Sequence, residues 1–329
     1  MRLRVLLALA GLGAVLTTMA WRQQAELPGR VLVAAVPCVD IHERADTGSP
    51  LVTQALWGWP VRVVKSAGRW LEVVSADGTS GWMEKRLTAP DPSGPAFMVS
   101  VPQVYLRTAP SATAPSSDLL YLGSLVRAGT TRDGFAAVAR PGGGTGWLAV
   151  KDLVPSSGGR AAVTGDGAGV VAAARLLSGT PYLWGGMSAR GVDCSGLAYV
   201  AYLVNGLKIP RDADLQFAAG DPVPAGRLLP GDLVFFALGS TDVPSHVGIY
   251  TGEGRFINAR SRQGVVVNSL SDPYFARSYL GARRFFPAVP GKVAGNAAAD
   301  GIGGFGLVGG VGQQTGFARV AEETGFDDH

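Results

Sequence analysis

Shifted by 65 positions, the first half of this 329-residue chain falls onto itself without a gap. Val39 matches Val104, Ile41 matches Leu106, Trp70 matches Phe135, Val73 matches Val138, Gly78 matches Gly143, and Gly81-Trp82 matches Gly146-Trp147. A repeat of this period requires each copy to be one small folding unit. Within the copies, Val61-Arg62-Val63-Val64 and Trp70-Leu71-Glu72-Val73-Val74 are the clearest of several short strand-forming runs between Gly and Pro turns, so each copy is expected to be a small all-β barrel. The barrels are placed at residues 30–89 and 96–155. The proline-rich stretch Thr88 to Pro95 reads as the linker between them, and Pro155 to Gly159 as the link from the second barrel to the rest of the chain. His42 stands where the second copy has Arg107, which assigns it to scaffold or surface; Cys38 belongs to the first copy and is read as core.

The chemistry lies further on. Cys194 sits where the Gly-rich run Trp184-Gly185-Gly186-Met187 to Gly191-Val192-Asp193 gives way to a helix. Leu197, Val200, Ala201 and Val204 recur at the spacing of one buried stripe, Asp193 can cap the start, and Gly206 follows the end. A thiol at a helix N-terminus meets unpaired amides and the positive end of the macrodipole. Such sites bring a cysteine pKa to roughly 3.5–7.5, so a thiolate nucleophile is expected here.

A thiol nucleophile calls for an imidazole, and the chain offers His42, His246 and His329. His329 ends a Gly-rich tail and His42 lies in the repeat, which leaves His246. It opens Ser245-His246-Val247-Gly248-Ile249-Tyr250-Thr251, which runs through Gly252-Glu253-Gly254 into Arg255-Phe256-Ile257-Asn258-Ala259-Arg260, a β-hairpin pattern. With a three-residue turn at Gly252 to Gly254, Thr251 pairs with Arg255, Gly248 faces Asn258, and His246 lies diagonally from Asn258 on one face. Asn258 can then orient the ring of His246.

These residues resemble the NlpC/p60 family of cell-wall cysteine peptidases. The resemblance runs from about Gly165 to Phe286 and rests on Tyr182-Leu183-Trp184-Gly185-Gly186, Asp193-Cys194-Ser195-Gly196-Leu197, His246-Val247-Gly248-Ile249-Tyr250 and Phe256-Ile257-Asn258-Ala259. It implies an α+β papain-like catalytic domain over residues 160–287. It also implies that Cys194 attacks, His246 is the base, Asn258 stands at an orienting position more often held by histidine, and the Tyr182 hydroxyl joins the Cys194 amide in binding the oxyanion. Trp184 is read either as an apolar wall of the pocket or as core. Both repeats are similar to bacterial SH3-like domains, which commonly precede this catalytic domain.

Ile209-Pro210-Arg211-Asp212-Ala213 looks like the Pro-Arg-Asp segment of family members that cleave after γ-D-glutamate in muropeptides with a free N-terminal L-alanine. That likeness implies that Asp212 binds the substrate amine and that Asp193 and Ser195 line the same pocket. From the residues alone, Arg211 and Asp212 would read as a loop salt bridge. In those relatives the first SH3-like domain also packs beside the site and blocks the side where longer or N-blocked substrates would bind. A glycine-tyrosine pair before its final Gly-Trp often contacts the substrate, a place held here by Thr79.

With 47% apolar and 16% charged residues the chain reads as globular. Its net charge of +4 falls to +2 once Arg2 and Arg4 leave with a leader. A basic stripe interleaved with aromatics is missing, which argues against nucleic acid as a partner. Two cysteines, one of them the candidate nucleophile, make neither a disulfide nor a metal-ligand set, and no cofactor is implied. Arg2 and Arg4 before the apolar run Val5 to Ala20 suit a secretory signal over residues 1–20, with an uncleaved anchor or a misassigned start as alternatives. The expected location is therefore the cell envelope or beyond, with peptidoglycan peptides as partners. Residues 291–329 are Gly-rich without a period and are expected to be disordered. Acyl transfer or amidase action by the same residues, and a wall-binding protein with an inactive enzyme domain, are the competing readings.

Overall fold

The computed structural model describes residues 27–156, 167–224, 226–239 and 242–286. The leader and tail expectations lie outside the described residues.

The two repeats fold alike, strand for strand. The first contains β1 (Val31–Ala34), β2 (Cys38–His42), β3 (Leu51–Leu56), β4 (Pro60–Ala67), β5 (Trp70–Ser75), β6 (Ser80–Glu84) and β7 (Thr88–Ala89), ordered β3-β2-β6-β5-β4-β1-β7. The second contains β8 (Ala96–Val99), β9 (Gln103–Arg107), β10 (Ser116–Tyr121), β11 (Leu125–Arg132), β12 (Phe135–Ala139), β13 (Thr145–Ala149) and β14 (Leu153–Pro155), ordered β10-β9-β13-β12-β11-β8-β14. His42 pairs with Trp82 as Arg107 pairs with Trp147. The repeated glycine has a packing reason: a Cβ on Gly81 would lie 2.6 Å from Ile41 Cγ2, and one on Gly146 would lie 2.4 Å from Leu106 Cγ. The linker expectation needs correcting at both barrels. Thr88–Ala89 and Leu153–Pro155 are short strands that pair with β1 and β8, because each barrel's opening strand leaves an edge to cover.

Beyond them lie helix α1 (Gly167–Arg175), the ribbon β15 (Met187–Ser188) and β16 (Gly191–Val192), and helices α2 (Cys194–Leu203) and α3 (Ala213–Ala219). An antiparallel sheet comes next, ordered β17 (Asp221–Val223), β22 (Tyr279–Arg284), β18 (Leu233–Phe236), β19 (His246–Gly252), β20 (Arg255–Arg260) and β21 (Gly264–Ser269). Alternation decides its faces. Leu233, Phe235, Val247, Ile249, Ile257 and Ala259 share a core with α1 and α2, while Val234, Phe236, Phe256 and Ala282 pack against Phe275 of the short helix α4 (Pro273–Ala276).

Helix α2 departs from the one-stripe expectation, since every residue from Cys194 to Tyr202 is buried. The first barrel covers the side away from the sheet. Trp59 packs against Tyr199 with ring centroids 5.9 Å apart, and its indole donates at 2.8 Å to the carbonyl of Gly123 in the second barrel. One continuous core runs from the first barrel through α2 to the sheet. Among the described residues, no helix is long and apolar enough to cross a membrane.

Candidate active site

Asp193 organises the loop that presents Cys194. As N-cap of α2 it accepts the Gly196 amide at 2.6 Å through Oδ1, and through Oδ2 the Gly185 amide at 2.8 Å. One carboxylate thus ties the helix start to the Gly-rich turn. Gly186 must be glycine because a Cβ there would lie 2.4 Å from the Gly191 carbonyl oxygen. The backbone of Tyr182 bridges to Val192, two residues before the thiol, and its side chain packs half-buried against the same core. Trp184 is 66% exposed, which excludes the core alternative and leaves its ring at the surface beside the Gly-rich turn.

The expected low thiol pKa is not what the structure supports. Burial pushes Cys194 up to about 12, with Asp193 adding to the rise, while the Val247 amide, Arg211 and the Ser195 amide act the other way. Desolvation outweighs the helix terminus because Cys194 is enclosed between α2 and the sheet. Burial therefore favours the protonated thiol over the thiolate.

The Val247 amide directed at the sulfur belongs to the residue after His246. The His246 ring is buried, with Phe275 stacked on it at 6.2 Å and Phe236 tilted at 6.1 Å. Its Nε2 hydrogen bonds to Asn258 Oδ1 at 2.8 Å. The hairpin delivers this pair by a different turn from the one expected. Ile249 pairs with Ile257 and Tyr250 with Phe256, but Gly252 pairs with Arg255, so the loop is Glu253-Gly254 and Thr251 is an extra, bulged residue. Both loop residues have positive φ, 53° and 70°, the geometry that matches strand twist in a two-residue hairpin. The bulge leaves the register at His246 and Asn258 as if the longer turn had formed. A Cβ on Gly248 would lie 2.3 Å from Phe256 Cδ2 and 3.2 Å from Asn258 Cβ, so this glycine makes room for the pair.

Arg211 bonds to Asp193 and not to Asp212. Its Nη1 donates to Asp193 Oδ1 at 3.0 Å and to Ser195 Oγ at 2.8 Å, and its Nη2 to Asp193 Oδ2 at 2.6 Å. Asp193, Ser195 and Arg211 thus form one buried hydrogen-bonded group, as a charged guanidinium in the interior requires a carboxylate partner. Asp212 keeps its carboxylate outside that network. It precedes α3 without a side-chain capping bond, and burial pushes its pKa up against the opposing effect of Arg211.

The first barrel reaches into this site through residues that sequence reasoning did not single out. Arg211 Nε donates to Thr53 Oγ1 at 3.3 Å, and Thr53 donates to Asp77 Oδ2 at 2.5 Å. Gln54 accepts the Met187 amide at 3.0 Å through Oε1 and donates to Asp40 at 2.7 Å. A signal was available: the second copy has Asp118, Leu119 and Gly142 where the first has Thr53, Gln54 and Asp77, and all three of the latter are buried polar residues. Thr79 is itself buried, its amide donating to Asp77 Oδ1 at 2.9 Å. Asn268, which donor and acceptor chemistry connects to Asn258, was also missed; its Oδ1 accepts from Asn258 Nδ2 at 2.9 Å. Among the described residues, no cluster of side chains fits a metal ion.

A helix N-terminal thiol, a strand-borne imidazole with an amide partner, and an antiparallel sheet behind them define a cysteine peptidase. The NlpC/P60 family model matches residues 179–284, and the bacterial SH3 domain model matches residues 35–90. The chain is 32% identical over 254 residues to the gamma-D-glutamyl-L-lysine dipeptidyl-peptidase of Bacillus cereus (strain ATCC 10987 / NRS 248), covering 72% of this chain and 76% of that protein. The protein of the same name from Bacillus subtilis (strain 168) is 29% identical, with 73% and 83% covered. A crystal structure of an NlpC/P60 family protein from Bacillus cereus ATCC 10987 superposes with a TM-score of 0.71 at 25% identity, covering 78% of this chain and all of that one. The chain belongs to the NlpC/P60 family.

Proposed function

We propose that the protein is an endopeptidase of peptidoglycan peptides that hydrolyses the bond between γ-D-glutamate and the following diamino acid, on peptides with a free N-terminal L-alanine. The observation that carries this reading is Asp212, a partly buried carboxylate beside the nucleophile helix that the Arg211–Asp193 pair leaves unused. A carboxylate so placed favours an ammonium group and disfavours an N-acylated end. The two Bacillus relatives, which align across the barrels as well as the catalytic domain, support the bond.

Cys194 Sγ attacks the γ-glutamyl carbonyl as its proton passes to His246, whose Nε2 is held by Asn258. The Cys194 amide and the Tyr182 hydroxyl serve the oxyanion, a contribution of about 2.7–4 kcal/mol per donor in comparable sites. The tetrahedral adduct collapses, the C–N bond breaks, and the leaving amine takes the proton from His246. Water, deprotonated by the same imidazole, then attacks the thioester and releases the dipeptide acid and the thiol. Because burial favours the thiol form of Cys194, this reading has the imidazole take the proton as the sulfur attacks. Residues 1–20 serve as the leader that takes the enzyme to the cell envelope.

Mass spectrometry of products from L-Ala-γ-D-Glu-diamino acid tripeptides with free and acetylated N-termini tests this, with Cys194→Ala as control. Cleavage after γ-D-glutamate of the free peptide, lost in Cys194→Ala, is the expected result. Equal cleavage of the acetylated peptide removes Asp212 from the amine site. A transferred acyl group in place of free acid points to acyltransferase chemistry.

A further inference from the structure

We propose that Asn268 is a positioning residue for His246, acting through Asn258. A carboxamide has an oxygen end and a nitrogen end of nearly the same shape, so its rotation by half a turn must be prevented by its neighbours. Asn258 Oδ1 meets His246 Nε2 at 2.8 Å, while its Nδ2 donates to Asn268 Oδ1 at 2.9 Å and to the Val266 carbonyl at 3.2 Å. Turning the amide over would set its oxygen against the fixed Val266 carbonyl and, with Asn268 as it stands, against Asn268 Oδ1, and its NH2 against the ring. Asn258 is wholly buried, so no solvent compensates that arrangement.

The orientation of Asn258 decides which ring nitrogen carries the proton. With Oδ1 facing the ring, Nε2 holds the hydrogen and Nδ1 is the basic atom. With NH2 facing the ring, Nε2 must accept and the proton moves to Nδ1, so Nδ1 is no longer the basic atom. The sheet puts Asn268 in place to set that orientation. β20 and β21 pair Asn258 with Val266 and Phe256 with Asn268, so Asn258 and Asn268 are diagonal neighbours on one face. β21 is an edge strand and Asn268 is half-buried, so its side chain can be changed without opening the core.

The catalytic half of this inference rests on His246 acting as the base; the tautomer half does not. The experiment compares full-length wild type, Asn268→Leu, which removes the acceptor, and Asn268→Asp, which keeps one. Nitrogen-15 NMR of the three histidines reads the His246 tautomer, with His246→Gln giving the assignment. Steady-state kinetics on the free tripeptide reads turnover. We expect the Nε2–H form in wild type and Asn268→Asp, a shift toward Nδ1–H in Asn268→Leu, and a kcat about tenfold lower in that variant with KM within about twofold. An unchanged tautomer in Asn268→Leu, or an effect on KM alone, overturns the proposal. Should Asn268→Leu fail to fold, Asn268→Ser, whose hydroxyl is too short to reach Asn258, carries the same comparison. A shifted tautomer in a wild-type background that cleaves no tripeptide supports the positioning role and defeats the proposed substrate.

Discussion

Arg211 holds both oxygens of Asp193, Nη1 on Oδ1 at 3.0 Å and Nη2 on Oδ2 at 2.6 Å, and the side chains are 3% and 8% exposed. The same two oxygens cap helix α2 and pin the Gly-rich turn. The geometry at Cys194 therefore depends on a cation 18 residues beyond Asp193 in the chain, which in turn touches the first barrel.

Arg211→Ala is expected to destabilise the protein by about 3–5 kcal/mol, since it leaves a buried carboxylate without its charge partner. Chemical denaturation measures this. A loss below about 1 kcal/mol would mean that Asp193 finds another donor.

Thr53→Val tests the reach of the barrel. The exchange keeps the shape but leaves Asp77 Oδ2 and Arg211 Nε without their shared hydroxyl, a penalty of about 1–3 kcal/mol. The melting temperature should fall, and kcat should fall with it, because Arg211 supports the cap of the nucleophile helix. Denaturation and steady-state kinetics on the same preparation check both.

Gly248→Ala should reduce activity more than an alanine in a strand ordinarily does. The new methyl would press on Phe256, which is fully buried, and on Asn258. Overpacking of this kind costs about 1–3 kcal/mol, and here the give comes from the residue that holds His246. A variant with wild-type kcat would show that the hairpin absorbs the methyl elsewhere.

The Cys194 thiol rises from its ordinary value of 9.0 to about 12, so the folded state retains a proton that the unfolded chain releases first. Its contribution is full below pH 9.0 and is lost as pH climbs toward 12. Relative to Cys194→Ala, the wild type should lose stability across that window. Alkylation of Cys194 in the absence of substrate should likewise rise steeply with alkaline pH. A rate already level at neutral pH would show a standing thiolate.

Much of this architecture is legible in the order of the residues. The 65-residue repeat became two sheets of the same strand order, and period-two alternation put His246 and Asn258 on one face. The Asp193 cap was readable because a capping residue and its helix are adjacent in sequence. Each of these depends on contacts a few residues apart or on a regular period, which backbone geometry alone dictates.

Tertiary structure decided the rest. Arg211 chose Asp193 over its neighbour Asp212, because partners in the interior are set by which groups are buried together. The link from Thr53 to Arg211 spans 158 residues and no local pattern announces it. The Cys194 pKa turned on the same distinction. The helix terminus that favours a thiolate is a local feature, whereas the desolvation that overrides it came from the sheet and the first barrel closing over α2.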